Sequence, residues 1–405
     1  MKLDLFIDTR KDAAMKNNPF DSVALTQALL RFPSVTPNDL GCMDYIESLL
    51  APLGFECHRI CFGEGADRVE NFYARLGTTA PHVCFLGHTD VVPVGDATLW
   101  SHAPFAGKIH DEHVIGRGAC DMKGAIACFI AAVHRVIQDG ATNGKGINGS
   151  ISILLTSDEE GPSQNGIKQM VPWLRNRGEV IDFCLGGEPT NPTKLGEMIK
   201  VGRRGSLTMK LDVIGTSGHA AYPKFALNPI KPLMAFLTHA QSLTLDAGTD
   251  RFDPSHLEIT TVDVGNPTSN VISGKASATL NVRFNPTYTL ESLQVLLNEE
   301  LDEIKNAHDP KFLWQATYQP SAEAFFRKNP AFTDAAITII EKHTGLKPTL
   351  STSGGTSDAR FMKDLCPVLE FGLLSCYAHH ADERVAVKDL RMLADIYADI
   401  ICSLP

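Results

Sequence analysis

The chain has 405 residues, 43% hydrophobic and 21% charged, with a formal net charge of −10 at pH 7 and a mean hydropathy of −0.05. At ~150 residues per domain this suits two or three globular domains and excludes disordered, collagen-like and coiled-coil chains. The negative charge argues against nucleic acid as a partner, and the longest apolar stretch, 125–133, is about half the ~20 residues of a membrane helix.

The first residues, MKLDLFIDTRKDAAMKNN, place Asp4 and Asp8 where a secretory signal needs an unbroken apolar core, so no signal peptide is expected. HVCFLG (82–87) reads as a buried strand, GSISILLTS (149–157) as a second and IDFCLGG (181–187) as a third. Between the first two, Ile126, Phe129, Ile130, Val133 and Ile137 recur at helical spacing, with Gly140 as the expected stop. After about residue 205 the pattern changes. LTMKLDVIG (207–215) and KASATLNVRF (275–284) alternate polar and apolar residues as half-buried antiparallel strands do, with helices expected over 228–243 and 291–304. A helix near 331–343 and a strand at PVLEFG (367–372) resume the first pattern. The expected fold is α/β: a three-layer, mainly parallel-sheet domain over 1–205 and 318–405, into which an α+β domain, 206–317, is inserted. The ten cysteines show no CxxC, and Cys84 and Cys184 sit in apolar runs as small hydrophobes, which points to reduced thiols and a cytoplasmic location.

Four acidic or histidine-bearing turns follow strands or open a helix: GHTDVVPVGD (87–96), GRGACDMKG (116–124), TSDEEG (156–161) and GGEPTN (186–191). Ligands of parallel α/β sheets gather outside the carboxyl ends of the strands. His88, Asp90, Asp121, Glu159, Glu160 and Glu188 are therefore expected to converge. Converging carboxylates repel one another, and a divalent cation removes that repulsion. Imidazole mixed with carboxylate suits zinc or a similar first-row metal. Asp90, two residues beyond His88, is placed to orient that ring without touching metal. In DEEG one carboxylate can bind metal while its neighbour acts as general base. GRGACDMKG lacks GxxxxGK[ST], which excludes a nucleotide-hydrolysing phosphate loop.

Together these four motifs resemble the di-zinc aminoacylase and carboxypeptidase family of metallopeptidases. GRRGSL (202–207), GHAAYPKFALNPI (218–230), VDVGNPTSNVI (262–272), SGGTSDARF (353–361), LEFG (369–372) and HHADERV (379–385) are similar, more narrowly, to its bacterial branch acting on N-succinyl-LL-2,6-diaminopimelate. The resemblance runs from about Leu30 nearly to the C-terminus and leaves residues 1–18 as an extension. It implies an amide hydrolase with two divalent metals per subunit, zinc first and cobalt second. His88 and Glu188 would bind one, Glu160 and His379 the other, and Asp121 both. Asp90 would orient His88, Glu159 would be the general base, and His219 would stabilise the oxyanion. In this family that histidine enters the partner subunit's site, which implies a homodimer joined through the inserted domain, a dimerisation or lid domain. Arg203, Tyr222, Asn270, Arg283 and Gly354, Gly355, Thr356 and Ser357 would bind a small dicarboxylate amino-acid amide. The alternative within the family is deacylation of N-acetylornithine or another N-acyl amino acid.

Three places depart from the family pattern. His379 and His380 are adjacent where the family has one histidine followed by lysine, and counting back from Asp382 and Glu383 selects His379. NVISGK stands for NVIPAE, and Ser217 and Lys224 stand for glutamine and histidine. The last two bear on specificity more than on reaction class. The other histidines lack carboxylates at motif spacing and read as ordinary surface or core residues.

Overall fold

In the computed structural model of the chain, which describes residues 18–143, 146–327 and 329–403, the backbone divides into two compact units. The first comprises Met1–Val201, Arg327–Leu350 and Ser357–Pro405, the second Gly202–Phe326 and Ser351–Thr356.

The first unit is built on an eight-stranded mixed sheet. In chain order its strands are β1 (Glu56–Phe62), β2 (Val69–Leu76), β3 (His82–His88), β4 (Ser150–Thr156), β5 (Phe183–Gly186), β6 (Met198–Lys200), β7 (Thr349–Ser351) and β8 (Val368–Glu370). Their spatial order is β1-β2-β4-β3-β5-β8-β6-β7. The four central strands, β4, β3, β5 and β8, run parallel, while β1, β2 and β6 pair antiparallel outside them. Every residue of β3 and β4 is buried. Their near-continuous apolar runs follow from cover on both faces, as parallel strands require. Register matters for what comes next. His88 lies opposite Thr156, Gly186 opposite both Leu86 and Glu370, so these strands end together.

Helices α1 (Ser22–Leu30), α2 (Lys123–Asn143) and α3 (Val387–Cys402) pack on one another, α2 between the other two. The stripe read from the sequence is the buried face of α2: Ile126, Phe129, Ile130 and Val133 are at most 1% exposed, and Ile137 packs at the margin. Phe85 of β3 stacks on Phe129 at 4.3 Å, and Tyr397 of α3 meets Phe85 edge-on at 5.8 Å. Burying each such ring contributes about 1.5–3 kcal/mol. Tyr397 also donates its hydroxyl to the Phe371 carbonyl at 2.6 Å, so its own buried hydroxyl is paired. The helix continues past Gly140 to Asn143. A glycine inside a helix weakens it by only ~0.5–1 kcal/mol relative to alanine, too little to end a helix anchored upstream.

The second unit carries a four-stranded antiparallel sheet in the order His256–Asp263, Lys275–Phe284, Gly205–Ile214, Leu313–Ala322. Its two inner strands alternate buried and partly exposed residues. Leu207, Met209, Leu211 and Val213, with Leu280, Val282 and Phe284, face the apolar sides of helices Ile230–Ser242 and Leu290–Asn306. Gly205 is obligatory here, since a Cβ would fall 2.2 Å from the Phe284 ring. Among the described residues no helix is long and apolar enough to cross a membrane.

Candidate metal centre

The carboxyl ends of the central strands deliver the expected turns to one place. His88 is the last residue of β3, Glu159 and Glu160 follow β4 by three and four residues, Glu188 follows β5 by two, and Asp121 precedes α2. Gly187 brings the β5 turn close to the core, since a Cβ there would lie 2.6 Å from Phe85 Cζ and 2.9 Å from Met122 Sδ. His379 joins from the segment before α3. Its main chain is left-handed, with φ of +64°, a conformation that costs a non-glycine residue about 1 kcal/mol or more and clusters at functional sites.

The donor atoms face one another across a few ångströms. His88 Nε2 is 3.3 Å from Asp121 Oδ1 and 4.0 Å from Glu188 Oε1. His379 Nε2 is 3.2 Å from Asp121 Oδ2 and 3.0 Å from Glu160 Oε1. Asp121 thus presents a different carboxylate oxygen to each imidazole, and His379 rather than His380 is the histidine facing the acids.

The hydrogen bonds fix the state of His88. Its Nδ1 is 2.9 Å from the Asp90 carbonyl oxygen, which can only accept, so Nδ1 carries the proton and Nε2 presents a lone pair when the ring is neutral. His88 Nε2 and Asp121 Oδ1 are both buried and have no hydrogen-bond partner among the described residues. Two acceptors 3.3 Å apart in a buried pocket repel unless a cation or a proton lies between them. Without a metal the proton takes that place. Burial pulls His88 down, but Asp121, Glu159, Asp90 and Glu188 together hold it well above its ordinary value. Asp121 and Glu160 push His379 up to about 10. Burial raises Asp121, yet the two imidazoles outweigh it and keep this carboxyl below the usual range. Burial, then the Glu188 carboxylate, lift Glu159 well above its ordinary value. Five carboxylates and two imidazoles held this close form a site with affinity for positive charge, and the mixed oxygen and nitrogen donors fit a divalent first-row cation. His88, Asp121 and Glu160 alone offer three donors within 4.8 Å of one another.

Asp90 works differently from the sequence expectation. It reaches His88 through its main-chain carbonyl, and its carboxylate Oδ1 is 3.6 Å from Nδ1. That carboxylate instead accepts the backbone N–H groups of Glu159 at 3.3 Å and Glu160 at 3.1 Å, so it holds the acidic turn. Burial pushes its pKa to about 6, with His88 acting in the opposite direction. Two residues escaped the sequence reading, Arg117 and Glu383. The Glu383 carboxylate is fully buried and accepts from Arg117 Nη1 at 2.8 Å and from the Asp121 N–H at 3.2 Å. The available signal was a charged residue four positions past His379, in the segment that carries that histidine.

The expected substrate residues, Ser357 aside, lie in the second unit. His219 pairs with Val271 in a two-stranded ribbon; its Nδ1 accepts the Ala221 N–H at 3.0 Å, and its ring lies 5.5 Å from that of Tyr222. The Asn270 main-chain carbonyl accepts the Ala220 N–H at 2.8 Å, so His219, Tyr222 and Asn270 form one exposed group. Arg203 is buried and donates to the Gly355 carbonyl at 3.2 Å, beside exposed Gly354 and partly exposed Thr356. Arg283, partly buried, sits in the sheet opposite Ser206 and His256. Ser357 belongs to the first unit, is fully buried, and donates its hydroxyl to Glu370 at 2.5 Å, which leaves it no exposed donor for a ligand.

Residues 84–403 match the model of peptidase family M20/M25/M40. The chain is similar to a succinyl-diaminopimelate desuccinylase of Rhodospirillum centenum, 50% identical over 382 residues covering 94% of this chain and 96% of the relative. It is 49% identical to a protein of the same name from Rhodopseudomonas palustris, over 96% of this chain and 99% of that one. Among solved structures it resembles an M20 family metallo-carboxypeptidase of Sulfolobus solfataricus, with a TM-score of 0.77, 17% identity, and 94% and 98% of the two chains covered. A dinuclear metal-binding M20 peptidase of Bacillus subtilis gives a TM-score of 0.66 at 15% identity, with 98% of each chain covered.

Proposed function

The chain belongs to peptidase family M20/M25/M40, and from that premise we propose that it hydrolyses the amide bond of N-succinyl-LL-2,6-diaminopimelate to succinate and LL-2,6-diaminopimelate. The family is metal-dependent. The observation that carries the reading is the Asp121 carboxylate with an imidazole on each oxygen, at 3.3 and 3.2 Å.

In this reading His88 and Glu188 would hold one divalent cation and Glu160 and His379 a second, with Asp121 contributing to both. Zinc is the first candidate and cobalt the second. When bound, such cations supply Lewis acidity towards the amide carbonyl and towards water. The chain's own residues do the rest. Glu159 takes a proton from water as the new O–C bond forms. It passes that proton to the amine nitrogen as the C–N bond breaks, a role worth ~10²–10⁴-fold in rate. The burial and like charge that raise Glu159 suit a group that must both accept and return a proton. Asp90 keeps Glu159 and Glu160 on one turn and fixes the His88 tautomer through its carbonyl. His219, supplied by a second copy of the chain, donates to the oxyanion, so the active species is a homodimer joined through the second unit. Arg203 and Arg283 pair with substrate carboxylates, where a guanidinium fork is suited to bidentate contact. Tyr222, Asn270 and the loop of Gly354, Gly355 and Thr356 contact the amides. The enzyme works in the cytoplasm with its cysteines as free thiols.

Side-by-side kcat/KM on N-succinyl-LL-2,6-diaminopimelate and N-acetylornithine, with purified and metal-loaded protein, tests the assignment. A site built to pair a second carboxylate rejects the shorter acyl group by at least ~10²-fold. Equal or reversed preference overturns the substrate reading.

A further inference from the structure

Glu383 and Arg117 tie together two segments that each carry an expected metal ligand. Glu383 Oε2 accepts from Arg117 Nη1 at 2.8 Å and from the Gly118 N–H at 3.0 Å. Its Oε1 accepts the N–H groups of Cys120 at 3.0 Å and Asp121 at 3.2 Å. One buried carboxylate therefore gathers three main-chain donors of the loop that ends in Asp121. Arg117 reaches the other way. It donates to the carbonyls of His379 at 3.3 Å and His380 at 3.2 Å, and its guanidinium lies 5.2 Å over the Trp100 ring. The left-handed His379 is thus gripped at its own carbonyl.

A buried ion pair is weak evidence for stability, because desolvation offsets its attraction. Apolar residues of similar size would fill the same space without that penalty. What they could not do is direct three main-chain N–H groups of the Asp121 loop and the carbonyls of His379 and His380 at once. The charges are therefore explained by geometry rather than by stability.

We propose that Glu383 and Arg117 are the positioning pair of the metal centre, setting the Asp121 carboxylate opposite the His379 imidazole. The proposal rests on the reading that Asp121 and His379 hold metal. Neither member of the pair touches substrate or ligates metal; each acts by orienting a ligand, and outer partners of this kind typically change metal affinity by ~10–100-fold.

The test is calorimetric titration of metal-free wild type, Glu383→Gln and Arg117→Lys with Co²⁺, followed by visible spectra of the loaded proteins. The carboxamide of Glu383→Gln points an N–H₂ group at existing donors. Arg117→Lys keeps the charge but cannot bond Glu383 and both carbonyls together. The weaker Co²⁺ equivalent should lose at least ~10-fold in affinity in both variants, with an altered ligand-field band, and kcat should fall while KM stays within about twofold. Folded variants that bind Co²⁺ within twofold of wild type, whatever their melting temperatures, overturn the proposal. If Glu383→Gln does not fold, Arg117→Lys decides alone; if neither folds, the pair serves stability and the proposal fails. Because Co²⁺ binding needs no substrate, a wild type that binds Co²⁺ yet leaves N-succinyl-LL-2,6-diaminopimelate intact overturns the substrate reading only. A wild type that binds no Co²⁺ overturns both.

Discussion

Replacing Gly187 by alanine adds one methyl group at the base of the candidate metal centre, and the surroundings determine its effect. The new Cβ would stand 2.6 Å from Phe85 Cζ, 2.9 Å from Met122 Sδ and 3.0 Å from Ala125 Cβ. Ordinary carbon contacts are about 3.5–4.0 Å, so something must move by about 1 Å. Phe85 cannot yield, because it is stacked on Phe129 and capped by Tyr397. The chain after β5 must move instead, and the next residue is Glu188. Overpacking of this kind costs about 1–3 kcal/mol, which lowers Tm by about 2–4 °C per kcal/mol for a unit of this size. A site group displaced by about 1 Å loses up to ~10²-fold in activity. Calorimetric melting and kcat/KM on the same preparation check both numbers. A Gly187→Ala protein that melts within 1 °C of wild type and keeps full activity would refute the claim that this glycine seats Glu188.

Glu159→Gln should lose ~10²–10⁴-fold in kcat and retain its metal, measured by plasma mass spectrometry; an empty site in that variant contradicts the division of labour between Glu159 and Glu160. Exhaustive chelation should abolish activity and lower Tm, and zinc at 100 times its Kd should restore about 2.7 kcal/mol; a melting temperature indifferent to chelator speaks against a metal held by the folded state. In the second unit, Asp246 Oδ1 accepts from Gly248 N–H at 2.7 Å, Ser255 N–H at 3.1 Å and Asn285 Nδ2 at 2.8 Å. Burial raises this carboxyl, but the bonds from Ser255, Gly248 and Asn285 prevail and hold it below its ordinary value. Its stabilisation is therefore present above the unfolded pKa of ~3.9 and fades as pH falls through the lower folded value. Asp246→Ala should cost about 1–2 kcal/mol in urea denaturation at pH 7 and less than half of that near pH 2; a pH-independent deficit would show that the carboxylate charge is not involved.

The parts of the fold legible in the sequence are those where one physical signal dominates. Wholly buried β3 and β4 are unbroken apolar runs, and the α2 stripe is the face that meets α1, α3 and the sheet. The inner strands of the second sheet alternate because one face is covered. Its outer strands did not stand out. His256–Asp263 is exposed or partly exposed throughout, so LEITTVD carries no buried face to read. β1 fails for the same reason, since ECHRICF has no fully buried residue. At the candidate metal centre the acidic turns were legible because their spacing follows strand ends, and register brings His88, Glu160 and Glu188 together; Asp121 joins from the turn before α2, and His379, in the segment before α3, was reached only through the family resemblance. The supports were not legible. That Asp90 uses its carbonyl, that Ser357 is spent on Glu370, and that Glu383 collects the Asp121 loop depend on main-chain directions that periodicity does not encode.

The central claim is that five side chains from separated parts of the sequence hold divalent metal. Anomalous diffraction from crystals of the zinc-loaded protein tests it most directly. Two zinc peaks are expected, one beside His88 and Glu188 and one beside Glu160 and His379, with Asp121 oxygens within ~2.0–2.2 Å of each. Zinc bound elsewhere, or not at all, with these five side chains in their present places, would contradict it.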